Sequence, residues 1–241
     1  MMQHNKNRLS DLTEFINIAS HEMRTPVQSI LTHAEFLYNR PEKYTKEYAQ
    51  IIFRNAMRLQ TLCNNLLDVN RIERQTLKLK KEKFDLTELV SYIIQDFKSS
   101  IENSLYDAKN IKLSFESAGE IIVEADKDRI SQVITNLIDN AFKFTEVGSI
   151  KITLEKKDET AVITVKDTGS GIDPHVLSDL FSKFMTISVK GTGLGLFVSK
   201  NIIEEHGGNI WAKNNSDGKG ASFIFVIPNN SSGKYKICIK S

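Results

Sequence analysis

Residues 9–37 read LSDLTEFINIASHEMRTPVQSILTHAEFL, a stretch without glycine. Leu9, Leu12, Ile16, Ala19, Met23, Pro26, Ile30, Ala34 and Leu37 return at steps of three and four, the seam of an amphipathic helix. The segment Asn39–Thr45 (NRPEKYT) breaks the pattern, and Ile52, Leu59, Leu62, Leu66 and Val69 resume it on one stripe. Two long helices joined by a short turn predict an antiparallel helical hairpin. A lone hairpin cannot cover both of its apolar faces, so the expected state is a homodimer whose two hairpins make a four-helix bundle.

Beyond Leu77 the pattern changes. Phe84-Asp85-Leu86-Thr87-Glu88-Leu89 has the form of a helix start, with Asp85 as cap, Glu88 at the third helical position and Phe84 stapled onto Leu89. Leu86, Leu89, Val90, Ile93, Ile94, Phe97 and Ile101 continue that helix. Short strand-like runs follow at 111–115, 121–123, 150–154, 161–165, 210–212 and 222–227, with helical patterns at 128–144, 174–184 and 194–206. The fold class is therefore α+β: a helical hairpin, then an α/β sandwich of one sheet covered by helices on one face. The tail 229–241 is polar.

Composition narrows the functions open to such a chain. Its 241 residues are 40% hydrophobic and 26% charged, an ordinary globular balance, and a net charge of +2 gives no reason to expect nucleic acid or a membrane surface as partner. Cys63 and Cys238 are too few and too far apart for a disulfide framework or a zinc site, which suits a cytoplasmic setting. Cys63 lies in an apolar helical pattern and reads as core. No apolar run reaches membrane-spanning length, and MMQHNKNRLSDL is not a signal peptide. A membrane segment in a longer parent protein stays open.

Three sets of residues carry chemistry. His21 lies between Ala19 and Met23 of the seam, roughly 200° around the helix from each, and so faces solvent with Asn17, Thr25 and Gln28. An exposed imidazole beside the Glu22 carboxylate is suited to nucleophilic attack on phosphorus, although alone it would pass for an ordinary surface histidine. Pro26 removes a backbone donor and should loosen the helix there. The remaining histidines, His4, His33, His175 and His206, have no ligand-like partners in sequence, so no metal site is expected from them.

The second set is Asn136, Asn140 and Lys143, spaced to share one helix face. Amide oxygens can ligate Mg²⁺ and an ammonium can hold phosphate, while a solvated face would account for the same spacing. The third set consists of two glycine loops. Asp167-Thr-Gly169-Ser-Gly171-Ile172 permits a tight turn and close approach of a flat base, whose exocyclic amine Asp167 could accept, though a plain β-turn has the same composition. Lys190-Gly191-Thr192-Gly193-Leu194-Gly195 leads into a helix whose start favours phosphate by about 0.3–1 kcal/mol. Neither loop fits the Rossmann fingerprint, because position 196 is leucine, and the Walker loop and the H-R-D and D-F-G elements of eukaryotic-type kinases are missing.

Taken in order, SHEMRTP, NLIDNAFKFT, DTGSGI, LFSKF and GTGLGL resemble the H, N, G1, F and G2 boxes of the sensor histidine kinases of two-component signalling. The resemblance covers nearly all of residues 8–228. It implies a dimerisation and phosphoacceptor hairpin over 5–74 and a Bergerat-type ATP-binding domain over 79–228. By this likeness His21 accepts the phosphoryl group, Glu22 is the base or orienter of its imidazole, and Thr25 positions water for a phosphatase activity. Asn140 ligates Mg²⁺, Asn136 and Lys143 contact phosphates, and Asp167 reads adenine with Gly169, Gly171 and Ile172 around it. Phe181 and Phe184 anchor a lid, with Lys190, Gly191, Thr192, Gly193, Leu194 and Gly195 around its hinge. The implied activity is ATP-dependent autophosphorylation of His21, followed by transfer to an aspartate on the receiver domain of a response regulator.

Gyrase-like and chaperone ATPases of the same fold carry glutamate where this chain has Asn136, and an amide cannot serve as a base. That favours transfer over hydrolysis. The stretch 185–190 is shorter than the lid of many relatives, which leaves Lys183, Ser188 and Lys190 as its phosphate-facing groups. Two rivals follow: a degenerate nucleotide-binding scaffold, and an ATPase or serine kinase on the same fold.

Overall fold

In a computed structural model the described residues are 2–39, 45–102, 110–185, 192–216 and 218–229, with side chains from residue 17 onward. The predicted turn at 40–44, the side chains of the seam positions Leu9, Leu12 and Ile16, the lid groups Ser188 and Lys190, Gly191, and the tail from 230 lie outside them. The chain forms two compact units, Met1–Glu73 with Phe184–Leu194, and Arg74–Lys183 with Gly195–Ser241.

The first unit contains helices α1 (Met2–Asn39) and α2 (Thr45–Glu73), packed along their length. Pro26 is buried inside α1, and the helix runs on past it. Leu62 and Val69 are buried on α2, with Ile52, Leu59 and Leu66 half-buried beside them. Of the α1 seam, Ala19, Met23, Ile30 and Leu37 are half-buried, whereas Ala34 is exposed. Cys63 is not core: it is exposed, because it lies about 100° around the helix from Leu62 and off the buried stripe.

The second unit holds two sheets where the sequence predicts one. Strands β1 (Glu82–Asp85) and β3 (Ile122–Ala125) make a separate antiparallel pair. Strands β2 (Ile111–Ser117), β4 (Gly148–Lys157), β5 (Thr160–Asp167), β6 (Asn209–Asn214) and β7 (Ala221–Pro228) form a mixed sheet in the order β2-β4-β5-β7-β6. Only β2 and β4 run parallel.

Helices α3 (Leu86–Glu102), α4 (Lys127–Phe144) and α5 (Gly195–Glu205) pack on this sheet. Alternation along β5 buries Ala161, Ile163 and Val165 and, at the strand's end, Asp167. Against such positions α4 sets Val133, Ile134, Leu137, Ile138 and Ala141, all essentially solvent-free. Each of the four larger side chains contributes about 1.5–3 kcal/mol by leaving water.

Caps fix where the helices begin. The Thr87 N–H donates to Asp85 Oδ1 at 2.8 Å, and the Arg129 N–H donates to Asp126 Oδ1 at 3.1 Å. The helix predicted over 174–184 is absent. A single 3-10 turn, Pro174–Val176, is followed by three-residue bonds from Asp179 N–H to the Val176 carbonyl and from Ser182 N–H to the Asp179 carbonyl. Asp173 starts the turn by accepting the His175 N–H, while Ser178, Asp179 and Ser182 are residue types that compete with helical backbone bonding.

Candidate functional site

On α1 the His21 side chain is 73% exposed and its Nδ1 lies 4.0 Å from Glu22 Oε1. Asn17, Thr25 and Gln28 are exposed with it, the outward face that helical spacing predicts. Glu22 itself is only 11% exposed, and its other oxygen meets the Arg58 guanidinium of α2 at 3.4 Å. Arg58 was not legible in advance, since position 58 is a solvent-side residue until α2 is laid beside α1.

In the second unit α4 presents Asn136, Asn140 and Lys143 half-buried on the side away from its apolar stripe. Asn136 Nδ2 donates to the Gly195 carbonyl and to Ser199 Oγ, each at 3.3 Å, so it joins α4 to the first turn of α5. The Lys143 ammonium lies 5.3 Å from the centre of the Phe144 ring. The end of α4 also meets the Asp167 loop. The Ser170 N–H donates to the Phe144 carbonyl, and a Cβ at Gly169 would run into that same oxygen.

Asp167 is the most constrained group here. It is 3% exposed, and its Oδ1 accepts the Gly169 N–H at 2.9 Å and the Ala221 N–H at 3.2 Å. Burial pushes its carboxyl above the ordinary carboxylate value, and the backbone donors pull in the opposite sense without cancelling it. Gly171 takes φ +75°, and Ile172 is gripped at both backbone groups by one side chain: its N–H donates to Asn214 Oδ1 and its carbonyl accepts from Asn214 Nδ2, both at 2.7 Å. Asn215 Nδ2 donates to the Asp167 carbonyl at 2.7 Å, while Ser222 Oγ donates to Asn215 Oδ1 at 2.6 Å. A side chain at Gly220 would strike Asp167. The sequence singled out none of Asn214, Asn215, Gly220 and Ser222, because Asn-Asn-Ser-Asp-Gly reads as hairpin-turn chemistry.

The structure therefore brings Asn136 to Gly195, and Gly169 and Ser170 to the end of α4. In the first unit, Gly193 sits at φ +64° against the Phe184 backbone, where a Cβ would collide, and Phe184 itself holds φ +65°. The Leu194 N–H donates to Thr192 Oγ1 at 3.2 Å. Lys183 places its ammonium 5.6 Å from the centre of the Phe197 ring. Among the described residues no group of three or more His, Cys, Asp or Glu side chains could hold a metal ion.

The geometry is thus a helical hairpin carrying an exposed histidine, and an α/β sandwich with a buried aspartate set against a glycine turn. Residues 11–75 match the His Kinase A (phospho-acceptor) domain, and residues 125–231 match the histidine kinase-, DNA gyrase B- and HSP90-like ATPase family. The sensor protein SrrB of Staphylococcus aureus (strain NCTC 8325 / PS 47) is 33% identical over 237 residues, covering 94% of this chain and 39% of SrrB. The catalytic domain of histidine kinase ThkA is 38% identical with a TM-score of 0.56, covering 63% of this chain and 97% of that one. ThkA in complex with the response regulator protein TrrA is 32% identical with a TM-score of 0.64, covering 94% of this chain and 64% of that one. The chain belongs to the sensor histidine kinases, the protein histidine kinases of two-component signalling. It spans about two fifths of the length of the curated relatives it matches. No helix among the described residues is long and apolar enough to cross a membrane.

Proposed function

We propose that this chain binds ATP at the Asp167 cradle, transfers the γ-phosphoryl group to Nε2 of its own His21, and passes it to an aspartate on a response regulator receiver domain. The observation that carries the reading is the posture of His21: exposed, with Nδ1 turned toward Glu22. A proton held on Nδ1 by that carboxylate leaves the Nε2 lone pair free as nucleophile. Attack forms the N–P bond as the bond from phosphorus to the departing ADP oxygen breaks. The Arg58 guanidinium, 3.4 Å from the other Glu22 oxygen, holds that carboxylate in place, which suits it to orienting the imidazole.

Asp167 reads the adenine amine through Oδ2, since Oδ1 is taken up by two backbone donors. The missing side chain at Gly169 lets the loop close against the Phe144 carbonyl, which fixes the turn beside Asp167. Asn140 is placed to ligate Mg²⁺ with its amide oxygen, and Lys143 to meet phosphate. Mg²⁺, when bound, supplies neutralisation of the triphosphate charge. Asn136 is engaged with Gly195 and Ser199 and has no basic group to activate water, which speaks for transfer over hydrolysis. Thr25, one turn beyond His21, would position water when the phosphatase reaction runs.

Val27, Leu31, Phe53, Met57 and Leu67 are exposed apolar residues on the hairpin, and a second copy packed there as a four-helix bundle would cover them. The segment is read as the cytoplasmic kinase part of a longer sensor. The test is labelling with γ-labelled ATP. Acid-labile, alkali-stable label should appear on the chain and vanish in His21→Gln, and label that persists in that variant would sink the assignment.

A further inference from the structure

His206 belongs to none of the groups above, yet it is 6% exposed and fully bonded. Its Nδ1 lies 2.7 Å from the Ile202 carbonyl at the end of α5, and its Nε2 accepts the Asp126 N–H at 3.0 Å. A carbonyl can only accept and an amide N–H can only donate. One protonation state satisfies both partners: a neutral ring with its proton on Nδ1. Asp126 is the N-cap of α4, and its carboxylate also receives the Lys80 N–H at 2.7 Å from the stretch leading into β1. The two helices are thus tied by side-chain hydrogen bonds at both ends of α5. Asn136 holds its first turn to α4, and His206 holds its last turn to the cap of α4.

We propose that His206 is a positioning residue for the nucleotide site, a neutral imidazole bolt that fixes the tilt of α5 against α4 and so the place of Gly195 beside Asn136. The proposal rests on the reading of α4 and the Asp167 cradle as the nucleotide site. α5 is only 11 residues long, so freeing its C-terminal end lets the other end swing across the face that carries Asn136 and Asn140. Adding a proton to Nε2 sets two donors against each other at Asp126 and undoes the bolt. Burial already makes the ring hold a proton less readily than an ordinary histidine; the bond to the Ile202 carbonyl opposes this, Lys81 adds to it, and Asp126 and Glu205 oppose it. The folded chain therefore binds that proton more weakly than the unfolded chain. The bolt's stability is complete above the ordinary value of 6.5 and is lost as pH falls through the lower folded value.

The experiment uses the whole chain, with Mg²⁺ and ADP as probe, in wild type, His206→Gln and His206→Phe. Glutamine offers one donor and one acceptor; phenylalanine offers neither. ADP affinity of the wild type should fall about tenfold on the acid side of the imidazole transition. His206→Gln should match wild type at neutral pH and stay flat through that transition, and His206→Phe should be about tenfold weaker throughout. Nitrogen NMR of the ring should show a protonated Nδ1 and a bare Nε2 at neutral pH. Superimposable pH curves for wild type and His206→Gln, full affinity in His206→Phe, or a proton on Nε2 at neutral pH would each overturn the proposal. Should His206→Phe not fold, the glutamine curve and the ring nitrogens still decide. A wild type that binds no ADP at any pH would refute the nucleotide reading instead. The bolt is then judged on the ring nitrogens and on an acid-side fall in Tm that His206→Gln lacks.

Discussion

His21 stands in solvent with one carboxylate at 4.0 Å, whereas Asp167 is 3% exposed and locked by backbone donors from its own loop and from the start of β7. On the proposed function the two groups serve opposite needs. A nucleophile that would take a phosphoryl group from bound nucleotide and hand it to a receiver gains from exposure and freedom. A carboxylate that would recognise one amine gains from having its geometry settled before the ligand arrives. The same contrast runs through their neighbours. Glu22 meets Arg58 across the hairpin, while Ile172, Asn214, Asn215 and Ser222 form a network behind Asp167.

The sharpest way to break that contrast is Asp167→Asn. The new amide oxygen can still accept from Gly169 and Ala221, but its NH₂ would then face the adenine amine, donor against donor. Nucleotide affinity should fall by about 100-fold or more in a calorimetric titration. Folding should not suffer. Because the folded chain holds a proton on Asp167 above the ordinary value of 3.8, the ionised form costs stability at neutral pH, so removing it should leave Tm equal or higher. Gly169→Ala tests the cradle's shape: a methyl driven against the Phe144 carbonyl should destabilise the fold by about 1–3 kcal/mol, read as a lower denaturation midpoint.

The hairpin should respond in the other way. Glu22→Gln is expected to slow labelling by about tenfold while Tm moves little, since the glutamine oxygen can still accept from the 41%-exposed Arg58. The gentlest probe is Asn214→Ala, which frees the Ile172 backbone and should weaken nucleotide binding by about 1 kcal/mol with no change in the chemistry of bound substrate. A loss of labelling in Asn214→Ala larger than its loss of affinity would show that the network does more than hold the loop.

Periodicity made the hairpin, α4, α5 and the five main strands legible, because each has an apolar face to bury. It could not show β1, where Glu-Lys-Phe-Asp has one apolar residue and becomes a strand only by pairing with β3. Nor could it refuse a helix over 174–184, whose apolar spacing is adequate but whose serines and aspartates turn the backbone into successive short bends. Among site residues, those that would touch ligand stood in motifs. Arg58, Asn214, Asn215 and His206 act on other protein groups, and such partners are visible only after distant segments meet.

Pro26 carries one more consequence. In α1 it stands four residues after Glu22, so the backbone bond that would end on the Glu22 carbonyl has no donor. That missing bond lowers the cost of bending in the turn that displays His21. On the proposed function, a hairpin that yields there would turn its imidazole from phosphate donor to receiver without unwinding the buried stripe that holds the pair of helices together.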